Sequence, residues 1–263
     1  MRPPFDFDVS RRRELPRLRG LLVTGTDTGV GKTLIAGAIA RCLRDAGRSV
    51  EVFKPVASGC RRDRGALVSA DAEFLAACAD SRRPLAEIAP VCYASALAPN
   101  VAAGREGRPV DLDAIFAAYE RLEGAADAVI VEGVGGLLCP ISDEFWVVHF
   151  ARMAHLPVVI VARAELGTIN HTLLTVHAAR SAGLHVAGVV VNRYRAHREP
   201  PAVHGDEELA MLTNPDQIAQ RGRVTVLALV PEDPDSSVEQ ARLGADVRSA
   251  VDRVDWKGII SQY

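Results

Sequence analysis

The sequence predicts an α/β fold, a doubly wound and mainly parallel sheet with helices on both faces, in a single domain. Three observations lead there. Short apolar runs of β-type residues recur along the 263-residue chain, and stretches with helical spacing separate them. The first run breaks at a Gly- and Thr-rich turn that feeds directly into a helix. Polar and charged residues gather where the runs end, the carboxyl edge at which open parallel sheets hold their ligands.

The bulk composition narrows the partners. At 48% hydrophobic and 24% charged residues the chain can bury an ordinary core. A net charge of −2 offers no basic field for nucleic acid or an anionic membrane surface. No apolar run approaches the roughly 20 residues of a membrane span. Cys42, Cys60, Cys78, Cys92 and Cys139 are odd in number and form no CxxC pair. Neither a disulfide framework nor a zinc site is indicated, and reduced thiols in the cytoplasm are the simplest expectation. The seven histidines show no metal-ligand spacing. Residues 1–18 carry Arg11-Arg12-Arg13 and Arg17 without the apolar core of a secretory signal, and read as a disordered extension to a domain covering 19–263.

Taken in order, Leu21-Leu22-Val23-Thr24-Gly25 is the first strand, and the helix starts at Leu34. Between them Thr26-Asp27-Thr28-Gly29-Val30-Gly31-Lys32-Thr33 forms a phosphate-binding loop in the required strand–loop–helix context. The usual first glycine is replaced by Thr26, with Gly25 one residue early. Main-chain N–H groups of such a turn converge on an anion, helped by the helix start. Lys32 is placed for the outer phosphates and the Thr33 hydroxyl for Mg²⁺. The fold class is accordingly P-loop NTPase-like.

A second strand, 50–53, ends on Lys54-Pro55-Val56-Ala57-Ser58-Gly59. Lys54 there is either a ligand-binding cation or a solvated loop lysine. Ser69 caps a helix to Cys78, with Asp71 in its first turn, a position where an acid ordinarily complements the helix dipole. Residues 90–109 read as a long irregular loop, and Asp111 as the cap of a helix over 112–122. The buried-type strand 128–131 leads into Glu132-Gly133-Val134-Gly135-Gly136. Glu132 is either the expected second handle on Mg²⁺, directly or through water, or a plain turn glutamate, and the glycines allow close backbone approach. A helix over 144–154 and a strand over 157–161 follow. Gly167-Thr168-Ile169-Asn170-His171 then opens a helix running to Gly183, its free N–H groups suited to a carboxylate or phosphate. The strand 186–191 ends at Asn192, and 193–205 is a polar excursion. Pro215 is expected to break 206–220, the last strand covers 224–230 and ends at Pro231, and 238–254 reads as helical.

These motifs together resemble the dethiobiotin synthetase family, from about Gly20 to about Pro231 and in family order. The early-glycine loop and Lys-Pro-Val-Ala-Ser-Gly are the specific ones. The resemblance implies ATP- and Mg²⁺-dependent ring closure of 7,8-diaminononanoate with carbon dioxide, through a carbamate and a carbamic–phosphoric anhydride. It implies ATP contacts from Gly29, Val30, Gly31, Lys32, Thr33 and Leu34, and from Asp71, Glu132, Gly133, Val134 and Gly135. Asn192, Arg193, Val230, Pro231 and Glu232 would complete the nucleotide site at its adenine end. Thr33, Asp71 and Glu132 would gather around Mg²⁺. Lys54, Lys32 and Thr28 would serve the chemistry, with Ser58 and Thr28 against the substrate. The family pattern also implies a homodimer with its site at the interface, where Gly167, Thr168, Ile169 and Asn170 receive the substrate carboxylate from the other subunit. Asn100 and Arg193 depart from residues common in relatives. A partitioning ATPase of the same loop type would carry a signature lysine where Asp27 stands, and an amidoligase would need a glutaminase domain.

Overall fold

The computed structural model describes residues 14–195 and 205–262. Its strands in chain order are β1 (Gly20–Gly25), β2 (Val50–Phe53), β3 (Val56–Ala57), β4 (Arg61–Asp63), β5 (Ala66–Val68), β6 (Val91–Cys92), β7 (Ala128–Gly136), β8 (Val158–Arg163), β9 (Val186–Tyr194) and β10 (Val226–Pro231). Six of them form one sheet in the order β10-β9-β8-β1-β7-β2, with every neighbouring pair parallel. The loop-bearing β1 lies inside this sheet, so the turn that follows it is held from both sides. β3 pairs with β6 in parallel, and β4–β5 is a small antiparallel hairpin.

The period of two in the strands divides the core. Leu21 and Val23 of β1 face one side, with Ile130, Val159 and Val190. There they meet Ile35 and Ile39 of α1 (Lys32–Asp45), Leu75 of α2 (Ala70–Ala79), Val247 and Val251 of α9 (Ala245–Asp252), and Trp256 of α10 (Trp256–Ser261). Leu22 faces the other side, with Phe53, Val129, Val131, Ile160 and Val191. That layer is closed by α5 (Leu112–Glu120), α6 (Val147–Ala154), α7 (Thr168–Ser181) and α8 (Asp206–Gly222). Phe53, Tyr119 and Phe150 interlock there, with ring centroids 5.6 Å apart for the first pair and 5.4 Å for Tyr119 and Phe150. Side chains of this kind contribute roughly 1.5–3 kcal/mol each on burial. The doubly wound, parallel reading of the sequence is what the chain adopts.

Several boundaries differ from the sequence expectation. The stretch 90–109 is not all loop: α4 (Pro99–Glu106) occupies it, with Pro99 in its first turn and Gly107 at φ 61 ending it. A one-turn helix, α3 (Leu85–Ile88), precedes it. β7 runs on to Gly136 because the glycines stay paired alongside β1, Gly25 opposite Gly136, past an irregularity. α6 begins at Val147, after Trp146 donates its N–H to His149 Nδ1. Pro215 does not end α8, which passes through it. Its neighbour Asn214 is buried and donates to the Ala164 carbonyl at 2.9 Å, tying that turn to the end of β8. The helix expected over 238–254 starts only at Ala245, with Gly244 as its cap, so 238–244 is loop. Of the expected extension over 1–18, residues 1–13 lie outside the described residues, while Leu15 is buried in the core. Most of the 193–205 excursion, 196–204, lies outside them as well.

Candidate active site

The phosphate loop leaves β1 at Gly25 and enters α1 through Gly31. Gly29 (φ 75) and Gly31 (φ 95) are left-handed, which glycine permits at little cost. Gly31 caps α1 without any side-chain hydrogen bond, so the first N–H groups of the helix keep no capping oxygen. A Cβ on Gly31 would come within 2.0 Å of Asn192 Nδ2. Asn192, near the end of β9, donates that amide to the Val30 carbonyl at 2.9 Å and pins the loop from the far side. Lys32 Nζ curls over the loop and donates to the Asp27 carbonyl at 2.9 Å. Burial holds the Lys32 pKa below the usual lysine range; Glu132 works against that and Lys54 adds to it.

Behind the loop stands a cluster of four polar side chains from four elements. Lys54, the residue after β2, is 3% exposed. Its Nζ lies 2.7 Å from Asp71 Oδ2 and 2.7 Å from Glu132 Oε1. Thr33 donates its hydroxyl to the same Glu132 Oε1 at 2.8 Å. Lys54 is thus a buried, doubly paired cation and not a solvated loop lysine. Burial alone would lower its pKa, yet Glu132 and Asp71 together raise it above the lysine range. Burial pushes the Asp71 carboxyl up, but attraction and hydrogen bonding from Lys54, with Thr33 adding to them, hold it below the carboxylate range. For Glu132 burial is the larger effect and the pKa is raised, although Lys54 pulls it down. Glu132 Oε2 is buried and takes no hydrogen bond. That oxygen is an acceptor waiting for a partner.

The Asp71–Lys54 pair makes stability depend on pH in a definite direction. A carboxyl held below its unfolded value, about 3.9 for Asp, stabilises the fold above that pH and loses the contribution as pH falls through the lowered value. Asp71→Asn should therefore flatten the acid limb of Tm against pH. Parallel acid limbs for the two proteins would contradict the pairing.

A cleft of about 560 Å³ runs over this cluster. Thr28, Gly29, Gly31, Lys32, Thr33 and Leu34 form one wall, and Lys54, Ser58, Asp71, Glu132, Val134 and Gly135 its base. Asn192, Arg193, Pro231 and Glu232 close the end beyond β9 and β10. Val30 and Val230 instead point into the core, and a Cβ on Gly133 would face Val147 Cγ1 at 3.1 Å. Any role for these three in nucleotide binding runs through the backbone. Gly167, Thr168, Ile169 and Asn170 lie away from this cleft at the start of α7, where Thr168 is buried and Gly167 caps the helix at φ 90. Asn100 donates to Asp143 Oδ1 at 3.2 Å on α4 and does not line the cleft.

One wall was not anticipated. Asp233, Ser236, Ser237, Val238 and Glu239 face the cleft from the loop after β10. Asp233 fixes this loop by accepting from the backbone N–H groups of Asp246 and Val247 at the start of α9. The signal was present as Glu232-Asp233-Pro234-Asp235-Ser236-Ser237, a run of turn formers directly after a strand.

Among the described residues no group of three or more His, Cys, Asp or Glu is arranged to hold a metal ion. Mg²⁺ does not need one, since it is commonly bound by one or two carboxylates together with substrate phosphates. Thr33, Asp71 and Glu132, with the orphaned Oε2, fit that mode.

Residues 19–240 match a family model described as an AAA domain. Over 228 residues the chain is 41% identical to the ATP-dependent dethiobiotin synthetase BioD of Anaeromyxobacter dehalogenans (strain 2CP-C), covering 87% of this chain and 96% of that relative. The chain belongs to the dethiobiotin synthetase family. The Bacillus subtilis (strain 168) ATP-dependent dethiobiotin synthetase BioD is 36% identical over 215 residues, 82% of this chain and 88% of the relative. The fold is shared more widely. The cell division ATPase MinD of Pyrococcus furiosus superimposes with a TM-score of 0.54 at 16% identity, covering 93% of this chain and 99% of that one. A ParA family ATPase from Chlorobium tepidum TLS gives 0.52 at 13% identity, over 90% and 98%. At such identity the likeness is one of fold alone. Within that common fold, Lys-Pro-Val-Ala-Ser-Gly puts both Lys54 and Ser58 of this dethiobiotin synthetase-family chain against the cleft.

Proposed function

We propose that the chain closes the ureido ring of dethiobiotin from 7,8-diaminononanoate, carbon dioxide and ATP, in the cytoplasm and as a homodimer. Family membership makes it an ATP-dependent ligase of biotin biosynthesis. The observation that carries the finer reading is the buried Lys54 ammonium, held between Glu132 and Asp71 beside an open phosphate loop.

That arrangement supports the following chemistry. One amine of the diamine takes up carbon dioxide to give a carbamate. A carbamate oxygen attacks the γ-phosphorus and ADP leaves. The second amine then attacks the carbonyl carbon of the mixed anhydride, phosphate leaves, and a five-membered ring closes. Phosphoryl transfer of this kind calls for alignment and charge neutralisation more than for a covalent nucleophile. The loop N–H groups and Lys32 hold the triphosphate. Lys54, with its raised pKa, stays an ammonium and serves as a fixed positive charge beside the carbamate and the transferring phosphoryl group. Ser58 and Thr28 contact the diamine side. Thr33, Asp71 and Glu132 would hold Mg²⁺, which supplies further charge neutralisation at the phosphates. Asn192 and the backbone around Pro231 take the adenine. Incubation with the diamine, bicarbonate and Mg-ATP, followed by mass detection of the cyclic urea and of ADP, tests the reading. ATP turnover without cyclic urea would refute it.

The dimer has support of its own. Leu138 and Leu174 are 42% and 59% exposed, and line one surface depression beside the phosphate loop. Leu166, just before α7, is 77% exposed. Apolar groups gathered like this are costly in water and suit a second copy. The start of α7 would then meet the substrate carboxylate in the other subunit. Leu174→Glu should sediment as a monomer that binds nucleotide but has lost the diamine. A Leu174→Glu dimer of parental stability would remove this face from the interface.

A further inference from the structure

The diamine proposed as substrate carries its carboxylate at the far end of its chain from the two reacting amines. Binding at that end favours substrate and transition state alike, so it shows in KM and not in kcat. What the first N–H groups of α7 can do for a carboxylate depends on how accurately they are aimed. α7 is entered from β8 through a short connection, residues 164–167, and Gly167 (φ 90) gives the helix no side-chain cap. Glu165, Leu166 and Gly167 are exposed, so little packing holds this connection. Hydrogen bonds hold it instead. The Thr168 N–H donates to the Glu165 carbonyl at 3.2 Å, and Arg163 Nη2 lies 3.2 Å from His171 Nδ1. These two ties stay within β8, the connection and α7.

A third tie comes from α8. Asn214, 3% exposed, donates its side-chain amide to the Ala164 carbonyl at 2.9 Å and to the Glu165 carbonyl at 3.4 Å. An amide NH₂ has two donors, and both are thereby turned toward the connection. Pro215 follows directly, with no N–H to bond back along α8. The helix gives up a bond of its own at the turn where it reaches across to another element.

We propose that Asn214 is a positioning residue for recognition of the substrate carboxylate, resting on the reading of α7 as its receptor. The amide fixes the two carbonyls, the carbonyls fix the path of residues 164–167, and that path sets the direction of the N–H groups at the start of α7. β8 meets the phosphate loop earlier, where the Thr26 N–H donates to the Val161 carbonyl at 3.0 Å. Nucleotide affinity is therefore independent of Asn214.

Asn214→Asp keeps the size of the side chain but sets acceptors against two carbonyls. Asn214→Ser is too short to reach them, introduces no buried charge, and serves where Asn214→Asp does not fold. Cyclic urea formation is measured for the full-length parent and both variants with 7,8-diaminononanoate and with its carboxamide, whose far end is neutral. Calorimetry reads ATP affinity and sedimentation reads assembly. In the parent the carboxamide should have a KM about tenfold above that of the acid, the worth of a carboxylate at a favourable helix start. Each variant should raise the KM for the acid by roughly fivefold, about one hydrogen bond, with kcat, ATP affinity and the KM for the carboxamide unchanged. An unchanged KM for the acid would overturn the proposal. So would an equal rise for acid and carboxamide, which marks a general structural role, or variants that sediment as monomers, which would make Asn214 an assembly residue. A parent that treats acid and carboxamide alike would sink the reading of α7 itself, and the role of Asn214 with it.

Discussion

Lys54→Ala will still bind ATP, within about threefold of the parental affinity, but will make cyclic urea about a thousandfold more slowly. The first half follows from attachment: the loop and Lys32, proposed to hold the triphosphate, hang on β1 and α1, while Lys54 follows β2. The second half follows from charge. A preorganised cation aimed at developing negative charge in a water-poor cleft is commonly worth two to three orders of magnitude, or about 4 kcal/mol at the upper end. The same substitution leaves Glu132, 1% exposed, without its ammonium partner. Breaking a buried pair from one side costs about 3–5 kcal/mol, so Tm should fall as well, and turnover must be measured well below the new melting point. Lys54→Arg separates the two effects: it retains a charge for Glu132, yet its planar fork cannot occupy the position of a point-charge ammonium. Stability should largely return and turnover should not. Cyclic urea formed by Lys54→Ala at the parental rate would remove Lys54 from the chemistry.

The parts of this site that were readable in the sequence are those with strong local rules. Gly29 and Gly31 announce left-handed backbone, and Lys32 and Thr33 follow at fixed offsets, so loop, helix and anion cradle could be placed from one stretch. Lys54 and Glu132 were readable as polar residues ending apolar strands. Their meeting was not, because contact between residues 54, 71 and 132 is set by the order in which strands lie side by side. Neighbouring β2 and β7 bring Lys54 and Glu132 together, and α2 swings Asp71 over them. Misread boundaries share one cause. From the sequence Pro215 reads as a breaker, 90–109 around Pro99 as loop, and 238–254 as helix straight through Gly244. Pro99 instead starts α4, where its missing N–H costs nothing, and Gly244 caps α9. α8 accommodates Pro215 while the neighbouring Asn214 ties it to Ala164. Placing α9 correctly would have exposed the loop with Ser237 and Glu239 as a wall of the cleft.

Glu132→Gln will raise the Mg²⁺ concentration needed for half-maximal ring closure by about tenfold or more, and will leave metal-free nucleotide binding intact. The hydrogen bonds already present dictate which way the new amide faces. Oε1 accepts from both Thr33 and Lys54, at 2.8 Å and 2.7 Å, and only an oxygen can accept there. The glutamine must therefore keep its oxygen on that side and turn its NH₂ to the place of Oε2, the buried oxygen that takes no hydrogen bond in the parent. An acceptor with a share of negative charge becomes a neutral donor at the point where a cation is expected, while Thr33 and Lys54 keep their partner. The change in shape is negligible, and a buried carboxylate whose desolvation raises its pKa is removed, so the fold should tolerate the variant far better than Lys54→Ala. Parental and variant proteins are compared by titrating Mg²⁺ at saturating ATP and diamine, with the melting temperature followed in parallel. Superimposable titrations would mean that Glu132 serves only to anchor Lys54 and that the divalent ion is held elsewhere.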